Sequence, residues 1–200
     1  PFSLRAEYCV TKENKIFEDC LFPLISTSSF YNLIYKLSGD FYIDTGLLLK
    51  HSEKSGTNEI KYSPVPSDKL KLSIKFHFSL LRGSSFETGF SKTLTTSISS
   101  ESKGFLFNYK IRYNITESIN LVLGQSFYST DTYDSALFGY EGSSPVMYNG
   151  EGISFYLNSA VIIPGGFSVK LKYNHIRKLS ERSVMQTEKS TISFQADYSL

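Results

Sequence analysis

Nine basic side chains recur at alternate positions of strand-like stretches: Arg5, Lys36, Lys50, Lys71, Lys75, Lys110, Arg112, Lys170 and Lys172. The same phase carries the acids Glu7, Asp44, Glu87 and Asp197. Charges gathered on one enclosed face must be paired or wet, because an unpaired buried charge is costly. Two chemistries follow. The bases close a packed interior with the acids and with Ser, Thr, Asn and Gln, or bases left without partners line a thin water path that favours anions.

A second cluster lies in residues 129–151, with Asp131, Asp134, Glu141 and Glu151 and no basic residue. Tyr133, Phe138, Tyr140 and Tyr148 punctuate it and are expected to be exposed. The segment is either a solvated acidic loop with its aromatics folded onto a rim, or a binding surface for a host or environmental protein. Asp131 and Asp134 lack the dense oxygen spacing of a calcium loop. Cys9 and Cys20 bracket a turn-like segment and are expected to form a disulfide in an oxidising compartment, two separate thiols being the alternative. Without a nearby His they do not suggest zinc. His51, His77 and His175 sit in no hydrolase, metalloprotease or phosphate-loop context, and His77 beside Glu87 is the one His–carboxylate pair the pattern anticipates. No catalytic residue, cofactor or metal is expected.

The elements that position these residues read most clearly at Lys69–Leu80, where every even residue is large and apolar and every odd one is Lys, Ser or His. Successive strand residues point to opposite faces, so this stretch has one oily and one wet face. The same alternation predicts ten strands, near 2–10, 31–37, 41–50, 69–80, 86–98, 105–115, 119–127, 153–163, 167–173 and 192–200. Residues 11–29, 52–68, 99–104, 129–150 and 178–188 read as loops, and tight turns such as Ser38-Gly39-Asp40 and Pro164-Gly165-Gly166 alternate with them.

With 200 residues the chain suffices for one domain, expected to span 1–200. The 21 basic and 19 acidic residues leave a net charge of +2, which gives no electrostatic case for nucleic acid. No apolar run approaches the ~20 residues of a membrane helix, a test blind to barrels. Pro1 follows no basic-then-apolar leader in this sequence, and a removed signal peptide is the expectation.

Alternation alone fits a membrane barrel or a soluble lipocalin-like one. Three features favour lipid outside. Ten strands of Phe, Tyr, Leu and Ile would overfill a cylinder of roughly 10 Å radius. Gly46, Gly89 and Gly124 fall mid-strand on the polar face, leaving room for long polar side chains. Aromatics of the apolar face gather near strand ends. Lys92 and Gln125 are misfits on that face. The expected fold is an all-β, closed, antiparallel up-and-down transmembrane barrel of about ten strands, with short periplasmic turns and longer extracellular loops.

On this pattern the chain resembles small bacterial outer-membrane β-barrel proteins over its full length. Lys170-Leu171-Lys172-Tyr173-Asn174 resembles the style of Borrelia-type spirochaetes, and Ser193–Leu200 resembles a barrel's C-terminal assembly signal, departing from it by ending in Leu. The resemblance implies a non-enzymatic monomer in the bacterial outer membrane, contacting membrane lipids or detergent, with loops that bind a partner or a lumen that forms a narrow channel.

Overall fold

The computed structural model describes residues 2–13, 24–55, 64–80, 83–98, 100–141, 144–179 and 187–198. Ten of its strands form one antiparallel sheet: β1 (Phe2–Glu13), β2 (Leu24–Lys36), β3 (Phe41–Ser55), β4 (Pro64–Ser79), β5 (Ser85–Ser97), β6 (Glu101–Thr116), β7 (Ile119–Thr130), β10 (Glu151–Ile163), β11 (Phe167–Leu179) and β12 (Thr187–Tyr198). Each pairs with its neighbour in sequence, except that β7 meets β10 across an inserted hairpin of β8 (Leu137–Glu141) and β9 (Ser144–Tyr148). This is an up-and-down meander. Turn glycines with positive φ make the reversal after β10 possible, at Gly165 (φ 99°) and Gly166 (φ 83°).

Register keeps the alternation coherent from strand to strand. Leu47 lies opposite Leu72, and Gly46 opposite Ser73. The apolar residues therefore share one face, here the outer face, and the polar residues share the inner face, over which the β8–β9 hairpin lies. Burial is inverted relative to a soluble protein. Thr93, Ser154 and Ser126 on the inner face are buried, while Leu72, Phe105 and Phe194 on the outer face are exposed. Small inner residues sit beneath larger neighbours: a Cβ at Gly124 would overlap the Tyr156 ring.

Following Cα partners from Phe2 passes through Tyr35, Ile43, Phe76, Thr88, Tyr109, Gln125, Phe155 and His175 to Ser190. That row reaches β12 near its start. Pairing of β1 with β12 is not seen among the described residues.

The structure extends and corrects the sequence expectations. Among the described residues there are twelve strands, ten in the main sheet and two more because the expected loop 129–150 contains β8 and β9. β2 begins at Leu24, β4 at Pro64 and β6 at Glu101, each inside a stretch expected to be loop. Residues 26–29 of β2, 66–69 of β4 and 101–104 of β6 are Ser, Thr, Pro, Asp, Lys, Glu or Gly on both faces, so the period-two signal is absent there. Pro64 and Pro66 are tolerated near a strand start, where a missing N–H costs little. The connection between β5 and β6 is three residues, 98–100, and breaks the expected alternation of long and short links.

Replacing Gly124 with Val should lower the free energy of unfolding by about 1–3 kcal/mol through overlap with Tyr156, measured by chemical denaturation. Val at Gly39, where nothing stands within 4 Å of the added Cβ, should cost less.

Candidate functional site

The inner face of β3 to β6 gathers the basic residues around few carboxylates. Lys71 and Lys75 occupy inner positions of β4 on either side of Ser73, with Lys75 opposite Asp44 and Gly89. Asp44 is engaged elsewhere: its Oδ1 accepts from Asn32 Nδ2 at 2.5 Å. Glu87 is also taken. Lys110 Nζ lies 2.7 Å from its Oε2, and His77 Nδ1 lies 3.3 Å from its Oε1. The Tyr42 ring stacks on His77 with centroids 4.5 Å apart, which fixes the imidazole beside the carboxylate. Lys71, Lys75 and Arg112 form no ion pair among the described residues.

Further around the sheet, Lys170 Nζ meets Asp197 Oδ2 at 2.9 Å, and Gln195 Nε2 donates to Asp197 Oδ1 at 2.8 Å. Arg5 pairs with Glu7 on the same strand. Lys172 stands between Asn158 of β10 and Ser193 of β12. The inner surface thus engages each of its four expected acids locally, and Lys36, Lys50, Lys71, Lys75 and Arg112 are left without an ion pair among the described residues.

The segment after β7 folds inward over this surface. Asp131 is locked to the start of β6: Lys103 N–H donates to Asp131 Oδ2 at 2.8 Å, and Asp131 N–H donates to Lys103 O at 2.9 Å. A 3-10 turn, Tyr133–Ser135, follows. Its carbonyls point at inner-face donors. Thr93 Oγ1 donates to Ser135 O at 2.8 Å, Thr95 Oγ1 to Asp134 O at 3.2 Å, and Lys69 Nζ to Asp134 O at 2.9 Å and to Ala136 O at 3.3 Å. Gly104 leaves the space: a Cβ there would overlap Ser135 O. Leu137 and Tyr148 of the hairpin then pack with Leu106 and Tyr128 into a small apolar cluster, and Tyr148 Oη lies 3.0 Å from Ser126 Oγ.

Tyr133 and Phe138 are 67% and 61% exposed, as expected for that segment. Tyr148 departs from expectation. It is buried, because β9 turns its ring onto Tyr128, with centroids 5.0 Å apart. Asp134 serves through its backbone carbonyl, and the side chain of Tyr140 is outside the described residues. Cys9 is exposed on β1 opposite Ser28, and Cys20 lies outside the described residues, as does the bond expected between them.

Sequence reasoning missed Lys69, Thr93, Thr95 and Gly104 as the cradle of the turn. The available signal was a run of small inner-face residues at the ends of β5 and β6 nearest the loop. It also missed a second His–carboxylate pair. His51 Nδ1 lies 2.6 Å from Asp68 Oδ1, because β4 starts early enough to place Asp68 opposite His51. This pair is on the outer face at the loop ends of the strands, where Lys103 and Glu101 (3.0 Å) and Arg177 and Glu188 (3.4 Å) also pair. No hydroxyl hydrogen-bonds to His51 among the described residues, so the pair lacks the nucleophile that a hydrolytic dyad activates.

No family model matches the chain, and no curated protein matches it. Among solved structures it is similar to the NanC porin in its rhombohedral crystal form, over 100% of this chain and 96% of that one, with 9% identity and a TM-score of 0.50. The translocator domain of the autotransporter NalP from Neisseria meningitidis aligns over 99% of this chain and 76% of that one, with 9% identity and a TM-score of 0.33, and no argument rests on it. The likeness to NanC is one of fold: an antiparallel, up-and-down, all-β porin architecture.

Replacing Thr93 and Thr95 together with Val removes two hydroxyl donors from the docked turn and leaves its carbonyls underpaired. At about 1–3 kcal/mol for such groups, cleavage of the 131–150 segment in limited proteolysis should accelerate about tenfold or more, read by mass spectrometry.

Proposed function

We propose that this protein is an integral outer-membrane β-barrel whose ten-stranded sheet closes β12 onto β1, and that it acts as a narrow, weakly anion-preferring channel. Its outer face supplies the apolar surface for lipid, and its inner face surrounds a lumen narrowed by the β8–β9 hairpin. The observation that carries the channel reading is the state of Lys71 and Lys75. Both face inward without an ion pair, while Asp44 and Glu87, the nearest acids by register, are engaged by Asn32, Lys110 and His77. Cations left in this state need water or a mobile anion, and either implies a wet path. The fold likeness to a porin supports closure.

A second reading keeps the barrel but gives its function to the loops. Tyr133 and Phe138 stay exposed on a segment otherwise held down by backbone hydrogen bonds, which makes them pre-positioned anchors for a host or environmental protein. In both readings the protein is a non-enzymatic monomer that needs lipid or detergent and takes no cofactor. The spirochaete-like composition is compatible with either.

Planar-bilayer recording separates them. The purified, refolded protein should give discrete conductance steps with a reversal potential displaced toward anions. Changing Lys71 and Lys75 together to Glu should abolish or reverse that displacement. Absence of steps in the wild type would sink the channel. Retained binding to cells by a variant lacking 129–150 would sink the loop reading.

A further inference from the structure

Charged residues of the outer face gather at the loop ends of the strands, and three pairs there are closed: His51 with Asp68 (2.6 Å), Lys103 with Glu101 (3.0 Å) and Arg177 with Glu188 (3.4 Å). Deeper on the face, the amide oxygen of Gln125 has a partner, since Tyr109 Oη donates to its Oε1 at 2.5 Å. Lys92 is the exception. It stands in the middle of β5, exposed, with Leu72 of β4 and Phe105 of β6 as its Cα partners. Phe90, next on the same face, meets Phe105 edge-on with centroids 5.0 Å apart. No acceptor among the described residues meets the Lys92 ammonium.

Geometry sets how far that charge is from the polar belt. Thr96, on the same face and strand, is the Cα partner of Asp68. Four residues of strand span about 14 Å, or roughly 10 Å of depth at the tilt of a membrane barrel. A lysine stem is long enough to cover much of that distance while its methylenes lie along Leu72 and the phenyl rings. The ammonium then arrives at the level where lipid phosphates begin.

We propose that Lys92 is a lipid-anchoring residue that binds the phosphate of a membrane lipid, whose acyl chains lie over Leu72, Phe90 and Phe105. The inference rests on the membrane residence proposed above. A second copy of this chain is a poorer occupant. The carboxylates on the described outer face (Glu53, Asp68, Glu101, Glu151 and Glu188) all stand at the loop ends, above Lys92, so a copy packed side by side brings no acid to its depth. A lipid phosphate with its own apolar tails satisfies the cation and the surrounding surface together.

The test uses the full chain folded into phosphatidylcholine vesicles doped with phosphatidylglycerol, then extracted in mild detergent for native mass spectrometry. Wild-type protein should retain phosphatidylglycerol. Lys92→Leu, which suits an apolar face, should lower the retained fraction about fivefold, the factor expected for one lysine–headgroup interaction. Lys172→Gln, an inner-face change, should leave retention unchanged. Equal retention by wild type and Lys92→Leu would overturn the proposal, as would a dimer that Lys92→Leu converts to monomer without loss of lipid. Failure of the wild type to enter vesicles at all would remove the membrane reading itself.

Discussion

One constraint governs this molecule: cross-strand pairing must hold ten alternating strands in register, so that most of the large apolar side chains fall on one face. A slip of one residue in any pair would turn a whole strand inside out. The pairing holds from Phe2 opposite Tyr35 to Phe167 opposite Tyr198, with a single irregularity between Asn114 and Thr116. Because the polar face is the one the hairpin covers, its buried residues are largely polar, Thr93, Ser126 and Ser154 among them, beside a few apolar ones such as Leu106 and Val122. The large apolar residues are left on the outside, where a soluble protein of this exposure would aggregate.

An enclosed polar face changes what holds a loop in place. A hairpin folding over an apolar core is held by burial. The turn that leads into the β8–β9 hairpin is held by hydrogen bonds to its carbonyls from Lys69, Thr93 and Thr95, and the hairpin itself by the small apolar cluster around Leu137 and Tyr148. Its docking site exists because the β5–β6 link is short and Gly104 has no side chain. The same economy shapes the charges. Asp44 and Glu87 sit where their nearest donors are Asn32, His77 and Lys110, so the excess of cations falls on Lys71 and Lys75.

The architecture was legible where alternation was clean. β1, β7 and β11, with their runs of Phe, Leu, Val, Ile and Tyr, start within a residue of where the pattern places them. It was not legible at the loop ends of β2, β4 and β6. There the outer face turns polar at Thr27, Asp68 and Glu101, so both faces read alike and the period vanishes. Placing those strand starts four to seven residues too late is also what hid the pairing of His51 with Asp68. The inward fold of the hairpin was beyond the sequence for another reason. The donors that hold it lie 65, 42 and 39 residues away from their acceptors, and no local pattern encodes such a meeting. Tyr148 looked like Tyr133, and nothing in the local sequence of either distinguishes the buried ring from the exposed one.

The central claim is that the apolar face of the sheet meets lipid and the polar face surrounds water. It is tested most directly on β4, by placing a spin label singly at each position from Leu70 to Phe78 in the vesicle-inserted protein. Accessibility is then measured to oxygen, which concentrates in lipid, and to a water-soluble nickel complex. The account predicts strict two-residue alternation, with oxygen favoured at Leu70, Leu72, Ile74, Phe76 and Phe78 and the nickel complex favoured at Lys71, Ser73, Lys75 and His77. Uniform accessibility along the strand, or an alternation of opposite phase, would contradict it.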